Sequence, residues 1–156
     1  PLQSCSQTHA PCPRPHPPEI IDMETFEQIL ELDEDDTHDF SSGMAWQYFS
    51  QAQVTFKEMD EALEKTDLTQ LSHLGHFLKG SSAALGVNKV RTVCEKIQHY
   101  GLLWDDDTHK DLSRQEALDK ITPLLPVGKK GYAEAETWLK SWFKVRGVNS
   151  PTEDDE

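Results

Sequence analysis

Between residues 19 and 148, apolar side chains return every three to four positions, the spacing of one face of an α-helix. The stretch "EIIDMETFEQILEL" (19–32) predicts a short first helix with Met23, Phe26 and Leu30 inward. In "DFSSGMAWQYFSQAQVTFKEMDEALEK" (39–65), Ala45, Phe49, Ala52, Phe56, Met59 and Leu63 alternate steps of four and three, an unbroken bundle stripe. Asp39 is the expected N-cap of this second helix. A third opens at Asp67, with Gln70 as its capping-box-like partner, and ends at Gly86. A fourth covers 87–101, with Val90, Val93, Cys94, Ile97 and Tyr100 inward and Gly101 at its end. Residues 102–130 are less regular, with one short helix at 113–121 opened by the capping box "SRQE" and stopped before Pro123. The last helix, 133–146, carries Trp138, Leu139, Trp142 and Phe143 at core spacing. No segment alternates convincingly at period two, and there is no internal repeat. The expected fold is all-α: an antiparallel up-down-up-down four-helix bundle with an additional short N-terminal helix.

Composition sets the boundaries and removes some partners. Residues 1–18 hold six of the nine prolines and almost no large apolar side chain, which predicts a disordered leader. The expected order is that leader, a bundle domain over 19–148 and a disordered acidic tail over 149–156. The 28 acidic and 15 basic residues give a formal charge of −13, which repels phosphate backbones and anionic lipid. Nucleic acid and membranes are therefore not expected partners. Cys5, Cys12 and Cys94 are too few and too widely spaced for a disulfide framework or a zinc site. No apolar run reaches the roughly 18 residues of a membrane span, and no signal peptide opens the chain. The expected compartment is reducing, cytoplasmic and nuclear.

The third helix contains the unusual chemistry, in "HLGHFLKGSSAALG" (73–86). On a helical wheel Leu71, Leu74, Leu78, Ser82 and Leu85 share the inward side, and His76 lies nearly opposite. Ser72, His73, Lys79, Gly80 and Ala83 share the face of His76, with Lys79 and Gly80 one turn on. A helix-interior glycine costs about 1 kcal/mol relative to alanine, which close approach of another surface to the imidazole would offset. Ser81 keeps the same area low. A neutral imidazole is a good nucleophile near pH 7, and Lys79 could neutralise part of the charge of a phosphoryl group carried there. An ordinary surface histidine is the plainer reading of the same wheel. A metal site built on His73 and His76 lacks a third ligand, because His38, His99 and His109 are scattered. Gly75 has no role in this geometry.

The string "LGHFLKGSSAALG" (74–86) resembles the signature of histidine-containing phosphotransfer (HPt) domains. "DFSSG" (39–43), "QAQVTF" (51–56), "VCEKIQ" (93–98) and the acidic run before Asp39 extend the likeness to the fungal HPt proteins of osmosensing multistep phosphorelays. The resemblance covers residues 19–101; the last helix fits by position and pattern only. It implies an exposed phosphoacceptor at His76 and no cofactor of the domain's own. The magnesium and most catalytic groups would belong to partner receiver domains, so the chain itself is not an enzyme. Those partners would be the receiver of a hybrid histidine kinase upstream and response regulators downstream. By the same resemblance Lys79 holds negative charge, Gly80 leaves room for the receiver, and Gln98 fixes the orientation of the imidazole. Leu102 and Leu103 stand where a yeast relative has an arginine soon after the glycine matching Gly101, so nothing is carried over to that position or to 102–130.

HPt domains dock receivers on an apolar patch, and the sequence offers one. Ile29 and Leu32 lie partly off the first core stripe. Phe40, Met44 and Gln47 stand at i, i+4 and i+7 beside the second, and Phe77 adjoins His76. With Thr25, Gly80 and Ser81 they would form an apolar centre with a polar rim. Core packing is the alternative use for Ile29, Phe40 and Met44. A monomer that relays phosphoryl groups is the leading expectation. The alternative is a helical adaptor that binds receiver-like partners without transfer.

Overall fold

The computed structural model describes residues 20–150; the expected leader, 1–18, and residues 151–156 of the expected tail lie outside the described residues. Six α-helices occur there: α1 Met23–Leu30, α2 Asp39–Glu64, α3 Leu68–Leu85, α4 Asn88–Gly101, α5 Arg114–Ile121 and α6 Leu124–Val145. Between α4 and α5 the two-residue strands β1 Trp104–Asp105 and β2 Lys110–Asp111 pair antiparallel, Trp104 opposite Asp111. Strands this short carry no period-two signature, which is why the sequence pattern missed them. The bundle is closed by α2 packing on α3 and α6, and α4 packing on the same two helices. Helix α1 lies against α2 and α3, and α5 against α3, α4 and α6.

The core follows the expected stripes. Ala45, Phe49, Ala52, Phe56 and Met59 are buried, and Leu63 is half-buried. They meet Leu71, Leu78 and Leu85 of α3, Val90, Cys94 and Ile97 of α4, and Leu139 and Phe143 of α6. Burial pushes the Cys94 thiol up to about 12, so it behaves as a small apolar side chain. Ser150 is buried, so the packed chain runs two residues past the expected boundary at 148.

Caps position the site helices. The Asp67 carboxylate accepts from the Gln70 N–H at 3.1 Å and opens α3. Gly86 ends it in the left-handed region at φ +81°, and its carbonyl accepts from the Asp22 N–H at 2.7 Å. Asp22 is in turn the N-cap of α1, so the end of α3 fixes the start of α1. Helix α1 is shorter than the sequence indicated. Its buried residues are Phe26 and Ile29, with Met23 and Leu30 half-buried, so the inward stripe is rotated from the expected one.

Two expectations about helix starts need correction. The N-cap of α2 is His38, in the left-handed region at φ 56°, and not Asp39. The capping carboxylate is that of Asp33, which accepts from the Ser41 N–H at 2.8 Å and the Ser41 hydroxyl at 2.7 Å, with His38 Nδ1 at 2.9 Å. Helix α6 begins at Leu124, nine residues before the expected 133. Pro126 sits in its first turn, where no N–H is required. Gly128 and Gly131, inside the added turns of this helix, admit α4. A Cβ on Gly128 would stand 3.0 Å from Val93 Cγ1, and one on Gly131 3.0 Å from Lys89 Cβ.

Candidate functional site

Helix α3 carries the site because its inward stripe leaves one face free. Leu71, Leu74, Leu78, Ser82 and Leu85 are buried, while His73, His76, Phe77, Gly80 and Ala83 are exposed. Ser72 departs from the wheel. It is buried, because a Cβ on Gly101 would stand only 2.9 Å from Ser72 Cβ where α4 presses on this side of α3.

The same press of α4 builds the contact behind the histidine. Gly75 is buried directly beneath it, and a Cβ there would lie 2.8 Å from the Cys94 carbonyl oxygen and 3.0 Å from the Gln98 nitrogen. Without that Cβ the two backbones come close enough for Gln98 Nε2 to reach His76 Nδ1 at 3.2 Å. In this rotamer the amide N–H donates to Nδ1, and Gln98 Oε1 is buried without a partner among the described residues. Turning the amide by 180° gives Oε1 the Nδ1–H as donor and leaves His76 Nε2 with its lone pair. In both orientations the contact holds the ring.

Lys79 is half-exposed one turn from His76. Like several other lysines, Lys79 makes no ion pair among the described residues; what sets it apart is its place one turn from His76. In a chain of net charge −13 that leaves one uncommitted cation beside the exposed imidazole. A Cβ on Gly80 would meet no atom within 4 Å, so the fold itself does not require glycine there. Among the described residues no group of three or more His, Cys, Asp or Glu side chains is placed to hold a metal ion.

The expected docking residues divide. Leu32, Phe40 and Phe77 are exposed by 61%, 47% and 50%, large for apolar side chains. Leu32 and Phe40 share a recess rimmed by Glu34, Asp35 and Asp39. Met44, Gln47 and Ser81 line one groove between α2 and α3, with Tyr48 and Gln51 along it. Thr25 is half-buried and donates to the Asp22 carboxylate at 3.1 Å, within the cap of α1. Ile29 is only 6% exposed; it belongs to the core rather than to the surface assigned to it from sequence. Sequence reasoning missed Gly75. Its signal was the glycine itself, unexplained on a helix that had no need of a bend.

An Hpt domain model matches residues 43–126, more than half of the 156. The chain belongs to the Hpt family. Multistep phosphorelay regulator 1 of Schizosaccharomyces pombe is 46% identical to this Hpt chain over 127 residues, covering 81% of the chain and 43% of that protein. The phosphorelay intermediate protein YPD1 of Saccharomyces cerevisiae is 49% identical over 86 residues, covering 54% and 51%. The Hpt chain thus spans about half the length of these relatives or less. The crystal structure of yeast Ypd1p superposes with a TM-score of 0.70 at 29% identity, covering 82% of this chain and 96% of that one. Ypd1 in its co-crystal with the receiver domain of the response regulator Ssk1 gives 0.70 at 34% identity, covering 82% and 97%. The match confirms the four-helix Hpt fold for α2, α3, α4 and α6.

Proposed function

We propose that this Hpt domain is a phosphorelay intermediate of osmotic or stress signalling, with His76 as its transient phosphoacceptor. The single observation that carries this reading is the exposed imidazole of His76, held from behind by Gln98 at 3.2 Å. The uncommitted Lys79 and the clear space over Gly80 flank it. A hybrid sensor kinase's receiver presents its aspartyl phosphate. With Nδ1 protonated toward Gln98, the Nε2 lone pair forms the N–P bond, and the aspartate carboxylate departs with the electrons of the broken O–P bond. The reverse geometry hands the group to an aspartate of a downstream response regulator. Positioning and charge stabilisation dominate phosphoryl transfer, and the receiver with its magnesium supplies most of both. Lys79 adds a fixed positive charge on the Hpt side. The domain works as a monomer in the cytoplasm and nucleus, where Cys94 stays reduced.

The test is incubation with phosphorylated fungal receiver domains, the Ssk1 receiver among them, followed by assay for acid-labile, base-stable phosphate. Label is expected on the wild type and absent on His76→Gln. An unlabelled wild type rejects the relay and leaves the adaptor reading; equal label on His76→Gln moves the acceptor elsewhere.

A further inference from the structure

Six of the eight glycines lie within helices, where glycine weakens the element it sits in. Four are explained by packing inside the molecule. A Cβ on Gly75, Gly101, Gly128 or Gly131 would come within 3.0 Å of a neighbouring helix. At Gly43 and Gly80 a Cβ would meet nothing within 4 Å, and both residues are exposed. The fold has room for alanine at both, so whatever excludes a side chain must come from outside. At Gly80 the phosphoacceptor face supplies that reason. Gly43 is on a different helix and plays no part in the site described above.

Gly43 follows Phe40 by three residues and precedes Gln47 by four, so all three share one face of α2. Phe40 is 47% exposed, and Gln47 lines the groove that also holds Ser81. The Tyr48 hydroxyl lies 2.8 Å from the Ser82 hydroxyl, which sets this part of α2 beside residues 81–85 of α3. From that level His76 lies about 9 Å along α3 in one direction, and Gly43 about 7.5 Å along antiparallel α2 in the other. Both fit inside the roughly 16 Å radius of a patch burying about 800 Å² per partner.

We propose that Gly43 is a second point of close backbone approach for the docked receiver domain. Gly80 clears the space over the phosphoacceptor. Gly43 clears the far edge of the same footprint, so that a receiver segment lies directly on α2 with an apolar side chain against Phe40. This inference rests on the relay reading. It makes Gly43 a docking determinant with no part in the chemical step.

The experiment compares Gly43→Gln, Gly43→Ala and Gly80→Gln with wild type, using the receiver that labels His76. Thr137→Gln, on the exposed side of α6, controls for added bulk. Thermal melts should show Gly43→Gln and Gly43→Ala at least as stable as wild type, because the added atoms enter open space. Gly43→Gln should raise the Kd for the receiver at least tenfold and lower transfer in proportion at low receiver concentration. At saturating receiver the single-turnover rate should return to the wild-type value. Gly43→Ala should raise Kd about threefold, and Thr137→Gln should leave it unchanged. A Gly43→Gln Kd within twofold of wild type, with transfer by Gly80→Gln impaired, overturns this inference alone. A wild type that no receiver labels overturns the relay reading and this inference with it.

Discussion

Replacing Gly75 with alanine adds one methyl at the place where α3 and α4 touch. That carbon would stand 2.8 Å from the Cys94 carbonyl oxygen and 3.0 Å from the Gln98 nitrogen, both backbone atoms that no rotamer change can move. Relief requires α4 to retreat by several tenths of an ångström. Overpacking of this kind costs about 2–3 kcal/mol, and the gain in helix propensity returns about 1. The net loss is about 1.5 kcal/mol, which lowers a urea midpoint by about 1 M at an m-value of about 1.5 kcal/mol/M. The retreat also carries Gln98 away from His76. Their contact is already 3.2 Å, so a small shift takes it past hydrogen-bond length. Two assays read the two effects: urea unfolding for the packing, and ¹⁵N spectra of the His76 ring with single-turnover transfer for the site. Gly75→Ala is expected to lower stability, mix the ring tautomers and slow transfer. A variant as stable as wild type, with unchanged ring signals, would refute the account of Gly75 as the seat of α4.

Lys79→Ala should slow transfer about five- to tenfold, worth about 1–1.4 kcal/mol in the barrier, with the thermal melt unchanged; equal rates would remove its charge-holding role. Gln98→Ala should leave the fold intact and slow transfer about tenfold, with both imidazole nitrogens giving exchange-averaged ¹⁵N signals. For Asp33, burial opposes ionisation, but the hydrogen bonds from the Ser41 hydroxyl, His38 and the Ser41 N–H outweigh it and hold the carboxyl below the usual carboxylate range. A depressed carboxylate stabilises the fold fully above its unfolded pKa of about 3.9, and that contribution is lost as pH falls through the folded value. Asp33→Asn should therefore cost about 2 kcal/mol at pH 7, with the gap to wild type closing below about pH 4; a gap independent of pH would refute it. Cys94 should resist thiol reagents in the native state and react at the rate of global unfolding, as followed by mass spectrometry of the modified peptide.

What the sequence made legible was whatever repeats at helical period. The α2 stripe from Ala45 to Met59 and the α3 wheel that exposes His76 are both visible in the order of residues alone. Contacts between distant segments were less legible. Asp33 caps a helix from eight residues upstream of Ser41, beyond the reach of a rule about adjacent residues. Gly128 and Gly131 leave space that only the packing of α4 explains. Ile29 and Phe40 looked alike as apolar residues off the core stripes, yet one is buried and the other is not. Only the seating of α1 on α3, through Asp22 and Gly86, decides between them.

The Asp33 carboxylate ties the loop between α1 and α2 to the first turn of α2. Leu32 immediately precedes it, and Phe40 immediately precedes Ser41, so both exposed side chains stand on anchored backbone. Conformational freedom there is surrendered when the domain folds, and docking need not remove it again. Ordering a loop is one of the costs of association, and here the backbone beneath both side chains is already ordered before any partner arrives. One buried carboxylate thereby links two properties that look unrelated, the acid tolerance of the fold and the entropy of its encounter with a partner.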